Sequence, residues 1–125
     1  MILDTNALSA FADGDENLLR VIENSDQLAV PVIALGEYIY GIRQSRYRAS
    51  YERWLHLHLP LLDLLPVGPE TARWYADIRR ELKSSGNPIP SNDVWIAAVA
   101  REHNFPVLSR DSHFESVPGL RRLTW

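Results

Sequence analysis

Four short apolar runs, "MIL", "QLAV", "LLDLLPV" and "PVLS", punctuate this chain, and the stretches between them carry helical periodicity. "TNALSAFADG" reads as a short helix that stops near Gly14, and "DENLLRVIENS" puts Leu18, Leu19 and Ile22 on one face. "VIALGEYIYGIRQS" and "RYRASYERWLHLHL" follow as two further helices, the second ending near Pro60. "PETARWYADIRRELKSSG" opens on Pro69 and closes on Gly86, the usual helix punctuation. "SNDVWIAAVAREHN" is helical, with Ser91 as the expected N-cap, and "LRRLTW" supplies a possible fifth strand. Strands separated by helices imply a parallel sheet covered on both faces. The expectation is a three-layer α/β/α domain with a central, mostly parallel sheet of four to five strands. No repeat or linker divides it, so residues 1–125 are read as a single domain.

In an open parallel sheet, ligands bind beyond the carboxyl ends of the strands. Asp4 follows the first strand and Asp111 lies just past the fourth, in "VLSRDSHF". Two more acids lie on helices: Glu37 in "LGEYIYG" and Asp93 in "SNDVWIAA". Each has an ordinary alternative. An aspartate after a strand can cap a helix, and one in a first turn is favoured by the helix dipole. Glu37, among apolar neighbours, needs a partner, for which Arg43 and Arg46 are available. Four carboxylates at one rim would repel one another, which makes sense around a divalent cation. With no cysteine in the chain, zinc–thiolate sites, disulfides and thiol catalysis are excluded. Oxygen ligands without a histidine cluster point to Mg²⁺ or Mn²⁺. Thr5, Asn6 and Ser109 stand at the same strand ends and are read as supports that orient the carboxylates.

These segments carry a family resemblance. "MILDTNALS", "PVIALGEYIYGI", "NDVWIAAVA" and "PVLSRDSHFESVPGL" resemble, in order, the four acidic motifs of the PIN-domain nucleases, and within them of the VapC-type toxins of bacterial toxin–antitoxin pairs. The resemblance implies that Asp4, Glu37, Asp93 and Asp111 form the acidic catalytic and metal-binding site. It further implies an Mg²⁺- or Mn²⁺-dependent endoribonuclease, inhibited by a cognate antitoxin and usually a homodimer. For such a site, Asp4, Asp93 and Asp111 are assigned to metal coordination. Glu37 coordinates directly or orients the attacking water, and the products are a 5′-phosphate and a 3′-hydroxyl.

The net charge of −3 gives no overall attraction to nucleic acid, so RNA must be held by local basic groups. Arg43, Arg46, Arg48 and Arg53 alternate with Tyr47, Tyr51 and Trp54, suiting phosphate contact and base stacking or, equally, a solvated helix face. Trp74 and Trp95 are read as anchors for an antitoxin. His113 lies near Asp111 and is given a structural role. No stretch is apolar enough to span a membrane and no basic leader precedes an apolar run, so a cytoplasmic location is expected.

Rival enzymes fit less well. A haloacid-dehalogenase-type enzyme wants a second Asp where Asn6 stands, and a receiver domain wants a lysine after a late strand, whereas the only lysine is Lys83. A non-catalytic module on the same fold would have lost some of the acids. A DNA nuclease with the same site stays open.

Overall fold

The computed structural model describes residues 1–125. Five parallel strands form one sheet: β1 (Ile2–Leu3), β2 (Ala29–Pro31), β3 (Asp63–Leu65), β4 (Val107–Leu108) and β5 (Arg122–Leu123), in the order β3-β2-β1-β4-β5. The helices are α1 (Thr5–Ala12), α2 (Glu16–Ile22), α3 (Val32–Arg43), α4 (Arg48–His58), α5 (Pro69–Ser84) and α6 (Ser91–His103). Short 3₁₀ turns occupy Leu59–Leu61 and Ser112–Ser116. The expected three-layer α/β architecture is what the chain adopts, and "LRRLTW" does contain the fifth strand.

The inner strands read as unbroken apolar pairs because both sheet faces are covered. Ile2, Leu3, Val107 and Leu108 are all fully buried. They join a single apolar cluster of 26 residues that draws on every layer. In α6, residues 96 to 100 are buried around the whole circumference, and the alanines among them let α5 pack closely. Asp15 caps α2 by accepting from the amides of Asn17 and Leu18, at 2.9 and 3.2 Å. Ser91 is not the cap of α6: Pro90 holds that position in extended backbone (φ −54°, ψ 144°), and Ser91 is already helical.

Past the fourth strand, the "VPGL" turn is fastened to α6. The Arg101 guanidinium lies 4.9 Å from the Trp74 ring centroid and donates to the Pro118 carbonyl. Gly119 adopts φ +73°, and a Cβ there would meet the Arg101 guanidinium carbon at 3.0 Å. Gly119→Ala is therefore expected to lower stability by about 1–2 kcal/mol, the usual magnitude for a side chain forced into the left-handed region. Urea unfolding measures it, and an unchanged midpoint would show that the turn is not held in this conformation.

Candidate active site

Parallel strands share one carboxyl edge. The strand order turns back at β1, between β2 and β4, where such a sheet opens a crevice. Register does the rest. Leu3 pairs with Leu108, so the next residues, Asp4 and Ser109, lie side by side. The Ser109 hydroxyl donates to Asp4 Oδ2, and the Ala7 amide donates to Oδ1 at 2.8 Å. Asp4 is thus both the N-cap of α1 and an acid of the rim; the two readings of its position are compatible. It is only 4% exposed. Burial pushes its carboxyl up to about 6 against those two hydrogen bonds, and the charges of Asp93 and Asp111 act in the same direction as burial.

Asp93, in the first turn of α6, is 9% exposed. Burial raises its pKa, the His113 hydrogen bond opposes that, and the charges of Asp111 and Glu37 add to it. Asp111 caps the 3₁₀ turn by accepting from the His113 amide at 2.9 Å, and its own amide donates to Ser109 Oγ at 2.9 Å. Ser109 therefore links the acids that follow β1 and β4. Glu37 reaches the rim from the half-buried face of α3. Its Oε2 accepts from the Thr5 hydroxyl and its Oε1 from Asn92 Nδ2, both at 2.9 Å. Neither Arg43 nor Arg46 pairs with it; Thr5 and Asn92 are its partners instead.

Thr5 thus bonds Glu37, and Ser109 bonds Asp4. Asn6 is exposed and bonds no acid. Adjacent helical residues point about 100° apart, so Thr5 and Asn6 cannot both face Glu37. Arg43 and Arg46 are exposed and free of carboxylates, with Arg46 resting 4.9 Å over the Tyr47 ring. Arg48 instead pairs with Glu52 at 2.8 Å. Two of the interleaved aromatics turn inward. Trp54 packs edge-on against Phe11, and the Tyr51 hydroxyl donates to Asp13 at 2.7 Å.

Two residues join the set that sequence reasoning did not place there, Asn92 and His113. His113 Nδ1 lies 2.9 Å from Asp93 Oδ2 and 3.0 Å from Asp111 Oδ1. Its pKa is raised, first by the hydrogen bond to Asp93 and then by the two carboxylate charges, against partial desolvation. Protonated, the imidazole ring takes the place a cation would fill between the two acids. One donor atom from each of Asp93, Asp111 and His113 falls within 4.8 Å of the others, close enough for one metal ion. His113 Nδ1 is engaged with both acids and so stands as their partner, or as a nitrogen donor beside their oxygens. The cue was the Asp-x-His spacing of residues 111 and 113 directly after a strand. His113→Gln is expected to weaken divalent-metal affinity by roughly 10–100-fold, the range for losing a partner of a metal ligand. Calorimetric titration decides it, and equal affinity would leave His113 a purely structural residue.

The family profile described as PIN domain matches residues 1–120. The chain belongs to the PIN-domain family. Among PIN-domain relatives, it is 32% identical to Ribonuclease VapC5 of Mycobacterium tuberculosis, across 94% of this chain and 87% of that one. It is 26% identical to Ribonuclease VapC2 of Rickettsia felis, across 99% and 96% of the two chains. In three dimensions it resembles a chain of VapBC2 from Rickettsia felis bound to a promoter DNA fragment, with TM-score 0.87 and 25% identity over 99% and 97% of the chains. DNA-bound VapBC from Salmonella typhimurium is equally similar, with TM-score 0.87 and 26% identity over 99% and 96%.

Proposed function

We propose that this protein is a metal-dependent endoribonuclease, the toxin of a VapBC-type pair, and that residues 1–125 act as one PIN unit. Asp4, Glu37, Asp93 and Asp111 are its catalytic acids, and Mg²⁺ or Mn²⁺ is its ion. The observation that carries the reading is the meeting of these four carboxylates at the switch point of the sheet, with burial raising two of them. Relatives named as VapC ribonucleases over nearly the whole chain support it.

Asp4, Asp93 and Asp111 would hold the ion, with His113 placed between the last two. When bound, such an ion would lower the pKa of water and neutralise charge on the phosphate. Glu37, kept in one orientation by Thr5 and Asn92, accepts the proton of the attacking water. Since water and not the ribose 2′-hydroxyl attacks, the products carry a 5′-phosphate and a 3′-hydroxyl. Arg43 and Arg46, exposed and unpaired with acids, are available to the RNA backbone. A cognate antitoxin blocks the rim with a basic side chain, since an arginine fork binds two carboxylate oxygens at once. The homodimer implied by the resemblance is read by sedimentation. No helix is long and apolar enough to cross a membrane.

The test is incubation with total cellular RNA, with Mg²⁺ and with excess EDTA, followed by mapping of the cut ends. Cleavage with Mg²⁺ alone, leaving 5′-phosphates, is the expected result. Undiminished cleavage in EDTA, or 2′,3′-cyclic ends, would overturn the mechanism. A parallel digestion of DNA separates the ribonuclease from a DNA nuclease built on the same site.

A further inference from the structure

One cleft leads away from the acids, sharing only Thr5 and Glu37 with the chemistry above. It runs between α1 and α3 for about 230 Å³. Thr5 and Ser9 of α1 and its C-cap Asp13 recur every fourth residue, as do Glu37 and Gly41 of α3 and Ser45 just past its end, so the two elements meet as a pair of ladders. The Thr5–Glu37 hydrogen bond closes one end, and the Tyr51–Asp13 bond closes the other. Gly41 leaves its rung open, with nothing within 4 Å of a Cβ built there. A glycine in mid-helix weakens a helix, and here it supplies room.

The cleft also holds an unpartnered polar group. Tyr38 is 3% exposed and lines it, and its hydroxyl is buried without a hydrogen bond. A buried hydroxyl in this state is free to donate to a group that enters the cleft. At the far end Asp13 accepts from Tyr51 through Oδ1, while Oδ2 has no partner. Volume limits what can enter. Pockets for drug-sized molecules begin at about 300 Å³, so this cleft suits one planar ring system.

The geometry points to a nucleobase subsite, selective for guanine, that seats the base beside the scissile bond at Glu37. This deepens the ribonuclease reading and rests on it. Guanine alone presents two adjacent N–H donors on its Watson–Crick edge, matching the two oxygens of the Asp13 carboxylate. Adenine, cytosine and uracil each set an acceptor beside their donor, which would face that carboxylate unpaired. The guanine carbonyl next to those donors accepts from the Tyr38 hydroxyl. Unpaired bases in RNA are read in this way, by their edges and by aromatic neighbours.

The experiment titrates guanosine, inosine, adenosine and cytidine into the ¹⁵N-labelled protein, since uncharged nucleosides escape repulsion by the acidic rim. Guanosine is expected to perturb the amides of 9–13 and 38–45. Inosine, which lacks the 2-amino group, should bind at least about fivefold more weakly. Asp13→Asn, which keeps an acceptor for Tyr51, should lower guanosine affinity by about tenfold or more. Tyr38→Phe should also weaken guanosine, with a melting temperature unchanged or higher, because the orphan hydroxyl is gone. Equal binding of guanosine and inosine, or no binding of either, would overturn the base site whatever the protein does to RNA. An antitoxin peptide that perturbs these amides where no nucleoside does would assign the cleft to the partner and overturn it as well. Selective guanosine binding with no RNA cleavage upholds the base site and rejects the nuclease reading.

Discussion

Asp4→Asn is expected to make the metal-free protein more stable while reducing RNA cleavage by at least roughly 10²-fold, beyond what loss of an outer partner of a metal ligand produces. The two effects share one cause. Asparagine caps a helix as well as aspartate does, so the bond from the Ala7 amide at 2.8 Å survives. Ser109 can bond either polar atom of the new amide. What disappears is a charge in a buried place. Lifting the Asp4 carboxyl from 3.8 to about 6 corresponds to ~3 kcal/mol at neutral pH, which is the upper limit of the gain. Urea unfolding in EDTA, beside a cleavage assay with Mg²⁺, measures both. A variant that unfolds more easily yet cuts RNA at the wild-type rate would mean that Asp4 is only a helix cap.

The second large effect is an inverted dependence of stability on pH. Most proteins lose stability in mild acid because their carboxylates are better placed when charged. In this site the raised acids work the other way. Between the ordinary carboxylate value of 3.8 and the folded value of about 6, the folded state holds a proton on Asp4 that the unfolded chain has lost. Stability from this group is therefore complete below about 3.8 and is lost as pH rises through about 6. Asp93 shifts in the same direction. His113, with its raised pKa, contributes stability that is full below 6.5 and lost above it as the ring deprotonates. Two shifts oppose this. That of Asp15 is downward and acts below 3.8, outside this window, while the Met1 ammonium, lowered by burial, increasingly favours the folded state as pH approaches 8.0 and offsets part of the fall. In EDTA the melting temperature is therefore expected to fall from pH 5 to pH 8. Saturating Mg²⁺ at pH 8 should restore it, since an ion at 100 times its dissociation constant adds ~2.7 kcal/mol. A melting temperature in EDTA that is level or rises over that range would show that the carboxylates are not crowded as described.

Periodicity was enough for the layers. The strand runs were too short for helices, and their unbroken apolar character suited a sheet covered on both faces. Strand order was not readable, because nothing local says that β1 stands between β2 and β4. The acids were legible for a related reason: each lies directly after a strand or on a helix that begins at the same edge. Their partners were not. Glu37 is held by residues 32 and 55 positions away, and no local pattern encodes such a meeting. Asn6 illustrates the opposite error, since closeness in sequence to Asp4 and Thr5 put it on the wrong side of a helix. The basic stretch from Arg43 to Arg53 reads equally as a stacking surface or as a solvated helix face with inward aromatics. Its aromatic residues look like a stacking surface until Phe11 and Asp13 draw Trp54 and Tyr51 inward.

The hydrogen bond between Ser109 and Asp4 spans 105 residues of chain. A ribosome adds roughly 5–20 residues per second, so Asp4 waits roughly 5–20 s before its neighbour exists. In that interval β1 can pair with β2, and β2 with β3, but the other half of the crevice has not been made. Asp93 and Asp111 arrive only with the later segments. A nuclease born among ribosomes, messengers and transfer RNAs is thus harmless for most of its own synthesis. That delay gives an antitoxin time to be waiting when the last acid falls into place.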